Sequence, residues 1–449
     1  FGGGINTPTL KRVQEMGLTF NHFHVTAVCS PTRAALLTGR NHHRVGMGGI
    51  AEFPGPFPGY TGQLPKSCAP FPRILKENGY VTGGFGKWHL TAGHAFGPAG
   101  PFETWPLSWG FDHFWGFLSG AAGQYDPVIT QDNTIIGVPE GEDGELYYFP
   151  DDLTDKSIEW LHGVQAQDPH KPWFLYYSTG CSHAPHHVAK EWADKYKGKF
   201  DDGWDAYRER AFKNAKEKGW IPADAQLTPR HPKMPSWESI PENERPFQRR
   251  LMEVFAGFAE HVDAQVGRVV DEIERLGYGE NTLVAYIWGD NGSSAEGQAG
   301  TISELLAQNG IPSTVDQHIK ALEELGGLDA LGTPLTDNMY HGAWAWAGST
   351  PYQGTKLLAS HFGGTRNPLV VRWPAKIKAD RTPRPQFHHV NDIVPTIYEV
   401  LGINPPRVVN GITQDSIDGV SMAYSFADPK AKGQLLTQYF EIMGSRSIY

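Results

Sequence analysis

Residues 29–40 read Cys-Ser-Pro-Thr-Arg-Ala-Ala-Leu-Leu-Thr-Gly-Arg and carry the strongest pattern in the chain. Ser30 suits a helix N-cap, Pro31 suits the first helical position, and Gly39 suits the residue that follows a helix. This order predicts a short helix with Cys29 just before its positive end, where an anion is stabilised. The stretch therefore predicts an anion site built on a helix N-terminus.

Arg33 lies one turn into this helix, where its guanidinium can donate two parallel hydrogen bonds to a tetrahedral anion. A single cysteine is more often a buried apolar side chain than a chemical group. A thiolate phosphatase would close its anion loop with an arginine at position 35, which is Ala here. The spacing excludes that class, so the role of Cys29 has to be found from the rest of the chain.

Composition restricts the class of protein. The chain has 449 residues, 39% hydrophobic and 20% charged, so it can bury a large core as one large α/β domain with a smaller partner. Its net charge of -10 argues against a nucleic-acid partner. Its 3 cysteines are too few for a disulfide framework. No apolar run is long enough to predict a membrane span, and periplasmic, secreted and cytoplasmic locations all stay open.

Apolar runs that predict strands alternate with helical patterns along the chain. The predicted strands are Leu18 to Val25, Tyr80 to Phe85, Trp173 to Tyr177, Thr282 to Trp288 and Leu369 to Trp373. The main predicted helices are Leu153 to Leu161, Phe247 to Leu276 and Val390 to Leu401. The alternation predicts an α/β fold with a large, mainly parallel sheet covered by helices on both faces.

Two aromatic segments have simpler interpretations. The charged and aromatic stretch from Trp192 to Trp237 has little strand pattern, which predicts a long surface insertion beside the site. Trp344 and Trp346 are predicted to pack in the core rather than to recognise an aromatic substrate.

Polar clusters follow three of the predicted strands. Lys87 and His89 follow the second strand, His183 to His187 follow the third, and Asp290 with Asn291 follows the fourth. In parallel sheets, ligands bind beyond the carboxyl ends of the strands. We therefore expect these clusters to meet in one site.

The segment from Cys29 to Gly39 resembles the C-x-P-x-R signature, with its following Leu-Thr-Gly, of the formylglycine-dependent sulfatases in the alkaline phosphatase superfamily. Further blocks of that family occur in its order: Gly86-Lys87-Trp88-His89, Ala184-Pro185-His186, Asp290-Asn291-Gly292, and Lys356 ahead of Gly363-Gly364. The resemblance covers nearly all of the chain. It implies an alkaline phosphatase-like catalytic domain over residues 1–425 and the start of a small, truncated α+β domain over residues 426–449.

The resemblance also implies a chemistry. Cys29 would be oxidised to formylglycine by a formylglycine-generating enzyme, and the hydrate of that aldehyde would attack the sulfur of a small-molecule sulfate ester. One calcium ion would be bound by residue 29, Asp290 and Asn291, and would help to lower the pKa of the attacking hydroxyl.

Five further side chains receive roles from the same resemblance. Arg33, Lys87 and Lys356 would neutralise the non-bridging oxygens as charge shifts in the transition state. His186, together with Lys356, would protonate the leaving oxygen, and His89 would take the proton from the second hydroxyl of the hydrate.

The sequence departs from the family at its start. The family begins with a strand that ends in two aspartates bound to the same calcium, and this sequence begins just after that strand would lie. Calcium takes six or more oxygen ligands. We therefore expect these 449 residues to lack that strand and half of the calcium site, and to bind calcium poorly.

Other readings of these residues stay open. Two histidine groups could bind zinc, His183 with His186 and His187, or His22 with His24, although no cysteine or carboxylate stands beside them at zinc spacing. A phosphonate or phosphate ester hydrolase of the same superfamily would recognise the same tetrahedral anion. A non-catalytic protein that binds sulfate or a sulfated glycan would result if Cys29 stayed a thiol.

Overall fold

Helices and strands alternate along the chain in the computed structural model, which describes residues 2–139 and 146–449. The helices are α1 Pro8–Glu15, α2 Cys29–Thr38, α3 Phe71–Glu77, α4 Phe149–Gln167, α5 Lys190–Asp194, α6 Gly203–Glu217, α7 Arg245–Arg275, α8 Glu304–Gln308, α9 Val315–Leu325, α10 Gly342–Gly348, α11 Phe362–Thr365 and α12 Ile393–Leu401. The strands are β1 Leu18–Phe20, β2 Phe23–His24, β3 Val81–Lys87, β4 His113–Phe117, β5 Ile129–Gln131, β6 Thr134–Ile136, β7 Trp173–Ser178, β8 Val284–Ile287, β9 Leu369–Arg372, β10 His388–His389, β11 Val408–Val409, β12 Ile412–Thr413, β13 Tyr439–Ile442 and β14 Ser445–Ile448.

Two sheets form the centre of the described part of the molecule. The larger has the order β6-β5-β4-β3-β7, in which β3 is parallel to both β4 and β7 while β5 and β6 are antiparallel. The smaller has the order β1-β9-β8 and is antiparallel throughout. The α/β class is confirmed, with parallel pairing concentrated around β3 and a mixed arrangement elsewhere.

Alternating side chains of the larger sheet face helices on both sides, as predicted. Phe85 and Leu175 pack with α4 on one face. Phe174 and Tyr176, one residue out of phase, pack with α2, α3 and α12 on the other. The period of two in these strands therefore buries both faces of the sheet.

The segment from Trp192 to Trp237 is not a surface insertion. It contains α6, whose Trp204 is fully buried and whose Tyr207 packs beside it in the largest core cluster. Trp344 and Trp346 belong to the same cluster, which confirms their predicted place in the core. The prediction fails because most of the charged residues of α6 occupy the outer face of an amphipathic helix, while Trp204, Tyr207 and Arg208 are buried.

The C-terminal hairpin β13–β14 packs on the segment that carries Cys29. Phe440 and Ile442 lie in one apolar cluster with Ala27, Val28 and Cys29. The predicted domain boundary at residue 425 stays a prediction. None of the helices within residues 2–139 and 146–449 is long and apolar enough to cross a membrane.

Candidate active site

Helix α2 begins at Cys29 itself, two residues earlier than its sequence pattern predicts. Val28 occupies the N-cap without a side-chain hydrogen bond, and Gly39 ends the helix in the left-handed conformation with φ of 67°. Ser30 does not cap the helix. Its hydroxyl donates to the His89 carbonyl oxygen at 2.8 Å and accepts from the Ala51 backbone N–H at 3.2 Å. Ser30 therefore ties the start of α2 to the end of β3.

Arg33 connects three strand ends. Its Nε donates to Asp290 Oδ2 at 2.8 Å, and one terminal nitrogen donates to Ser178 Oγ at 2.7 Å and also to the Lys87 carbonyl oxygen. Burial would raise the pKa of the Asp290 carboxyl, but Arg33 and Lys87 outweigh it and hold that pKa well below its usual range. The predicted meeting of α2 with the loop after β8 is present.

Lys87 and His89 stand beside Cys29. Both are buried, at 3% exposure each. Burial would raise the pKa of the Cys29 thiol, but His89 and Lys87 together lower it to about 6. Burial in turn lowers the pKa of Lys87. Lys87, and the imidazole of His89 whenever it is protonated, favour a negative charge at position 29.

Lys356 comes from the far end of the sequence and is also buried. Its Nζ donates to Glu296 Oε2 at 2.5 Å and to His183 Nε2 at 3.1 Å. Burial would lower the pKa of Lys356, but Cys29 and Glu296 outweigh it and raise that pKa, so the side chain is an ammonium ion. His183 Nδ1 bonds to the Ala184 carbonyl oxygen at 2.7 Å and so carries the ring proton.

His186 lies in the same cavity as Arg33, Lys87, Asp290 and Lys356. Its ring packs against Phe255 and Tyr340, and its buried Nδ1 has no hydrogen-bond partner among the described residues. The structure therefore brings His183, rather than His186, into hydrogen-bond contact with Lys356. The role of His186 stays a prediction.

Three residues at the edges of the site have left-handed backbone. They are Ala27 at φ of 75°, His89 at φ of 57° and Leu357 at φ of 75°. His89 is itself a site residue, Ala27 lies two residues before Cys29, and Leu357 directly follows Lys356. Such conformations cost of order 1–3 kcal/mol and concentrate at functional sites, where the surrounding structure holds them.

Asp290 and Asn291, the residues predicted to bind calcium, follow β8 and line the same cavity as Arg33 and Lys87. Their side chains would offer two oxygen donors, whereas calcium takes six or more oxygen ligands. Within the described residues, no group of three or more His, Cys, Asp or Glu side chains could hold a metal ion, which also counts against both zinc groupings. These two residues would therefore supply only part of a calcium site, and the site stays a prediction.

A cavity of about 1110 Å³ opens behind these residues. It is lined by residues of β7 and β8, including Leu175, Tyr177 and Tyr286, and by the apolar face of α7. In the described chain β7 pairs only with β3, and β8 pairs only with β9. The two sheets are therefore separated by this cavity at the level of the site.

Three residues of the site were not identified from the sequence. Glu296 binds Lys356, Ser178 binds Arg33, and Glu52 accepts a hydrogen bond from His89. Of the three, only Glu296 could have been suspected from the sequence, because it lies in the same loop as Asp290. Neither Glu52 nor Ser178 stands in a recognisable pattern.

The fold and the site together define a class, a protein of the α/β type with a buried, anion-favouring group of side chains at a helix start. The family model described as "Sulfatase" matches residues 1–403 of this chain. The chain therefore belongs to the sulfatase family and is a sulfuric ester hydrolase. The family resemblance stated from the motifs is confirmed.

Individual relatives agree with this membership. An uncharacterized sulfatase of Schizosaccharomyces pombe is 29% identical over 426 residues, covering 90% of this chain and 72% of that protein. The arylsulfatase of Klebsiella aerogenes is 25% identical over 419 residues, covering 91% of this chain and 84% of that protein.

Solved structures share the fold. A Pseudoalteromonas sulfatase has a TM-score of 0.59 at 18% identity, covering 98% of this chain and 70% of its own. The phosphonate monoester hydrolase of Silicibacter pomeroyi has a TM-score of 0.55 at 15% identity, covering 98% of this chain and 75% of its own. At these identities the likeness concerns the fold alone.

Proposed function

We propose that this sulfatase cleaves aryl sulfate esters to a phenol and sulfate, with a formylglycine at position 29 as the nucleophile. The observation that carries the proposal is the burial of one anion-favouring group of side chains around Cys29, drawn from α2, β3 and the loops that hold Asp290 and Lys356. The family membership supports sulfate as the anion, and the arylsulfatase relative supports an aryl ester.

The modification supplies what a thiol cannot. The hydrate of a formylglycine carries two hydroxyls, of which one can attack sulfur and the other can later allow sulfate to leave as the aldehyde re-forms. Lys87 and His89 favour negative charge at this position, as the lowered pKa of the Cys29 thiol indicates. The same groups would favour the alkoxide that attack requires.

Arg33, Lys87 and Lys356 provide the positive charge around the sulfate. As the bond between sulfur and the ester oxygen breaks, negative charge grows on the departing oxygen. Buried cations that are already held in place stabilise that charge without reorganising. Glu296 and Asp290 keep Lys356 and Arg33 in position through direct ion pairs.

Lys356 and His186 are proposed to protonate the departing oxygen. Lys356 is cationic in the free protein and can donate directly. Burial lowers the pKa of His186 to about 3, with a smaller contribution from His187, so its imidazole is neutral in the free protein. A sulfate anion in the cavity would raise that pKa, because a nearby negative charge favours the imidazolium.

His89 is proposed to take the proton of the second hydroxyl. As that proton leaves, the bond from carbon to the sulfate oxygen breaks with its electron pair, and the aldehyde double bond forms. Asp290 and Asn291 are proposed to hold a calcium ion, which would add positive charge beside residue 29 when bound.

The deciding experiment measures the mass of the Cys29 peptide and the activity of the same sample. Protein co-expressed with a formylglycine-generating enzyme is expected to show an aldehyde at position 29 and to hydrolyse an aryl sulfate. Cys29→Ala is the matched control, because it keeps a small residue at the helix start, and it is expected to fold without turnover. Full activity with an unmodified thiol would contradict the proposal.

Matched aryl phosphonate esters distinguish the phosphonate alternative in the same assay. Sulfate esters are expected to give the higher kcat/KM. A higher value for the phosphonates would assign the chain to the other activity. Sulfate binding without hydrolysis in aldehyde-bearing protein would indicate a binding protein.

A further inference from the structure

Glu52 lies in the loop that follows α2 and reaches the far side of the His89 ring. Its Oε2 is 2.8 Å from His89 Nε2, and its Oε1 accepts the Gly120 backbone N–H at 3.0 Å. Burial would raise the pKa of the Glu52 carboxyl, but the bonds from His89 and Gly120 outweigh it and lower that pKa. Both oxygens of an ionised carboxylate are therefore used to hold one imidazole and one backbone N–H.

Gly120 leaves room for the His89 ring because it has no side chain. A Cβ at this position would lie 2.6 Å from both His89 Cε1 and His89 Nε2. The ring of His89 thus rests against the Gly120 backbone, in space that any other residue would fill.

The backbone of His89 is held as firmly as its ring. Its N–H donates to the Leu118 carbonyl oxygen at 3.0 Å, and its own carbonyl accepts from Ser30 Oγ at 2.8 Å. These bonds hold its left-handed φ of 57°. The ring therefore has one orientation, with Nε2 turned to Glu52.

The other ring nitrogen of His89 is not used by Glu52. His89 Nδ1 is buried and has no hydrogen-bond partner by distance and angle within the described residues. The other nitrogen, Nε2, is already engaged by Glu52. Nδ1 is thus the nitrogen available to residue 29.

We propose that Glu52 and Gly120 are positioning residues for His89, Glu52 keeping a proton on Nε2 so that Nδ1 is the nitrogen that accepts a proton from residue 29. This inference rests on the proposed function for its kinetic consequence. Its structural content, the tautomer and orientation of one imidazole, can be measured without turnover.

Glu52→Gln tests the kinetic consequence. The glutamine amide can still accept from Gly120, but it can donate its own N–H to His89 Nε2, which places the ring proton on Nδ1. Release of sulfate from residue 29 should then slow, while formation of the phenol continues. We expect a burst of one phenol per enzyme, a sulfated position-29 peptide by mass spectrometry, and a kcat lowered roughly 10²- to 10⁴-fold with little change in KM.

Glu272→Gln is the matched control, since Glu272 also pairs with a histidine, His162, but at the surface. It is expected to keep the parent kinetics. Gly120→Ala should lower kcat as Glu52→Gln does, because its new Cβ displaces the same ring. Unchanged kcat in Glu52→Gln, or equal slowing of phenol and sulfate formation without a burst, would overturn the proposal.

Nitrogen NMR of the histidine rings measures the tautomer of His89 directly, without any need for turnover. The parent is expected to show His89 with its proton on Nε2, assigned by difference from His89→Gln because the chain has 19 histidines. In Glu52→Gln the proton is expected on Nδ1, with the thermal melting temperature recorded to confirm folding. If His89 of the parent carries its proton on Nδ1, the proposal is refuted, whether or not any substrate is turned over. If the parent shows the expected tautomer but no activity, that result counts against the proposed function alone.

Discussion

Lys356 shows how single side chains shape the site. It is held by Glu296 on one side and His183 on the other, and Ser293 binds its backbone N–H at 2.9 Å. The carboxylate keeps the ammonium charged despite its burial. His186 stands in the same cavity with an unpartnered ring nitrogen.

His186→Ala should therefore hurt substrates with poor leaving groups most. Activated phenols depart without a proton, whereas phenols of high pKa need one, and general-acid catalysis contributes roughly 10²- to 10⁴-fold. A series of phenyl sulfates should give a steeper dependence of rate on phenol pKa in the variant than in the parent. His162→Ala, at the surface, should leave the slope unchanged. Equal slowing of every substrate would move His186 to a binding or structural role and leave Lys356 as the acid.

Among the elements, the approach of β3 to its neighbours depends on glycine. Gly86 pairs with Gly116 of β4 on one side and with Ser178 of β7 on the other. A Cβ on Gly116 would lie 1.9 Å from the Gly86 carbonyl oxygen, and one on Gly86 would lie 2.1 Å from that of Ser178. Lys87 and His89 follow directly, so this close pairing sets the position of the site.

Gly116→Ala should accordingly destabilise the protein by about 3 kcal/mol, the upper end of overpacking costs, because the atom it meets is backbone and cannot rotate away. Gly163→Ala provides the contrast. Gly163 lies exposed in α4 with open space around it, and alanine there should stabilise the helix by about 1 kcal/mol. Urea unfolding of both variants measures the difference. Equal stability of the two variants would show that the strands can separate.

At the scale of the whole molecule, several histidines are buried in neutral form. Burial lowers the pKa of His22 to about 4, of His42 to about 3 and of His341 to about 4. In the unfolded chain each would titrate near its ordinary value of about 6.5. The unfolded state thus binds more protons below that pH, and stability contributed by these groups is present above pH 6.5 or so and lost as pH falls.

His341→Asn should reduce this acid sensitivity. His341 is the N-cap of α10 and accepts the Ala343 backbone N–H, a role that asparagine also fills. Between about pH 7.5 and about pH 5.5 the variant should lose about 1 kcal/mol less unfolding free energy than the parent. Urea unfolding at both values measures the loss, and the pH-independent cost of losing the ring stacked on Trp204 cancels in the difference. Parallel losses in both proteins would mean that His341 titrates alike when folded and unfolded.

The sequence by itself determined the α/β class, most element positions and the segment around Cys29 on which the site is built. Helix α2, strand β3 and the cluster at Asp290 follow from local patterns, because periodicity, capping residues and strand-end polar residues act over a few neighbours along the chain. The chain order of the motifs was enough to recognise the family.

Only the tertiary structure decided which side chains touch. Arg33 meets Asp290 across 257 positions, and His89 meets Glu52 in a loop without any motif. The choice of His183 as the partner of Lys356, and the burial of the α6 segment, likewise depend on the path of the chain. Contacts between distant residues are set by how the sheets and helices pack together, and no local pattern of the sequence records that geometry.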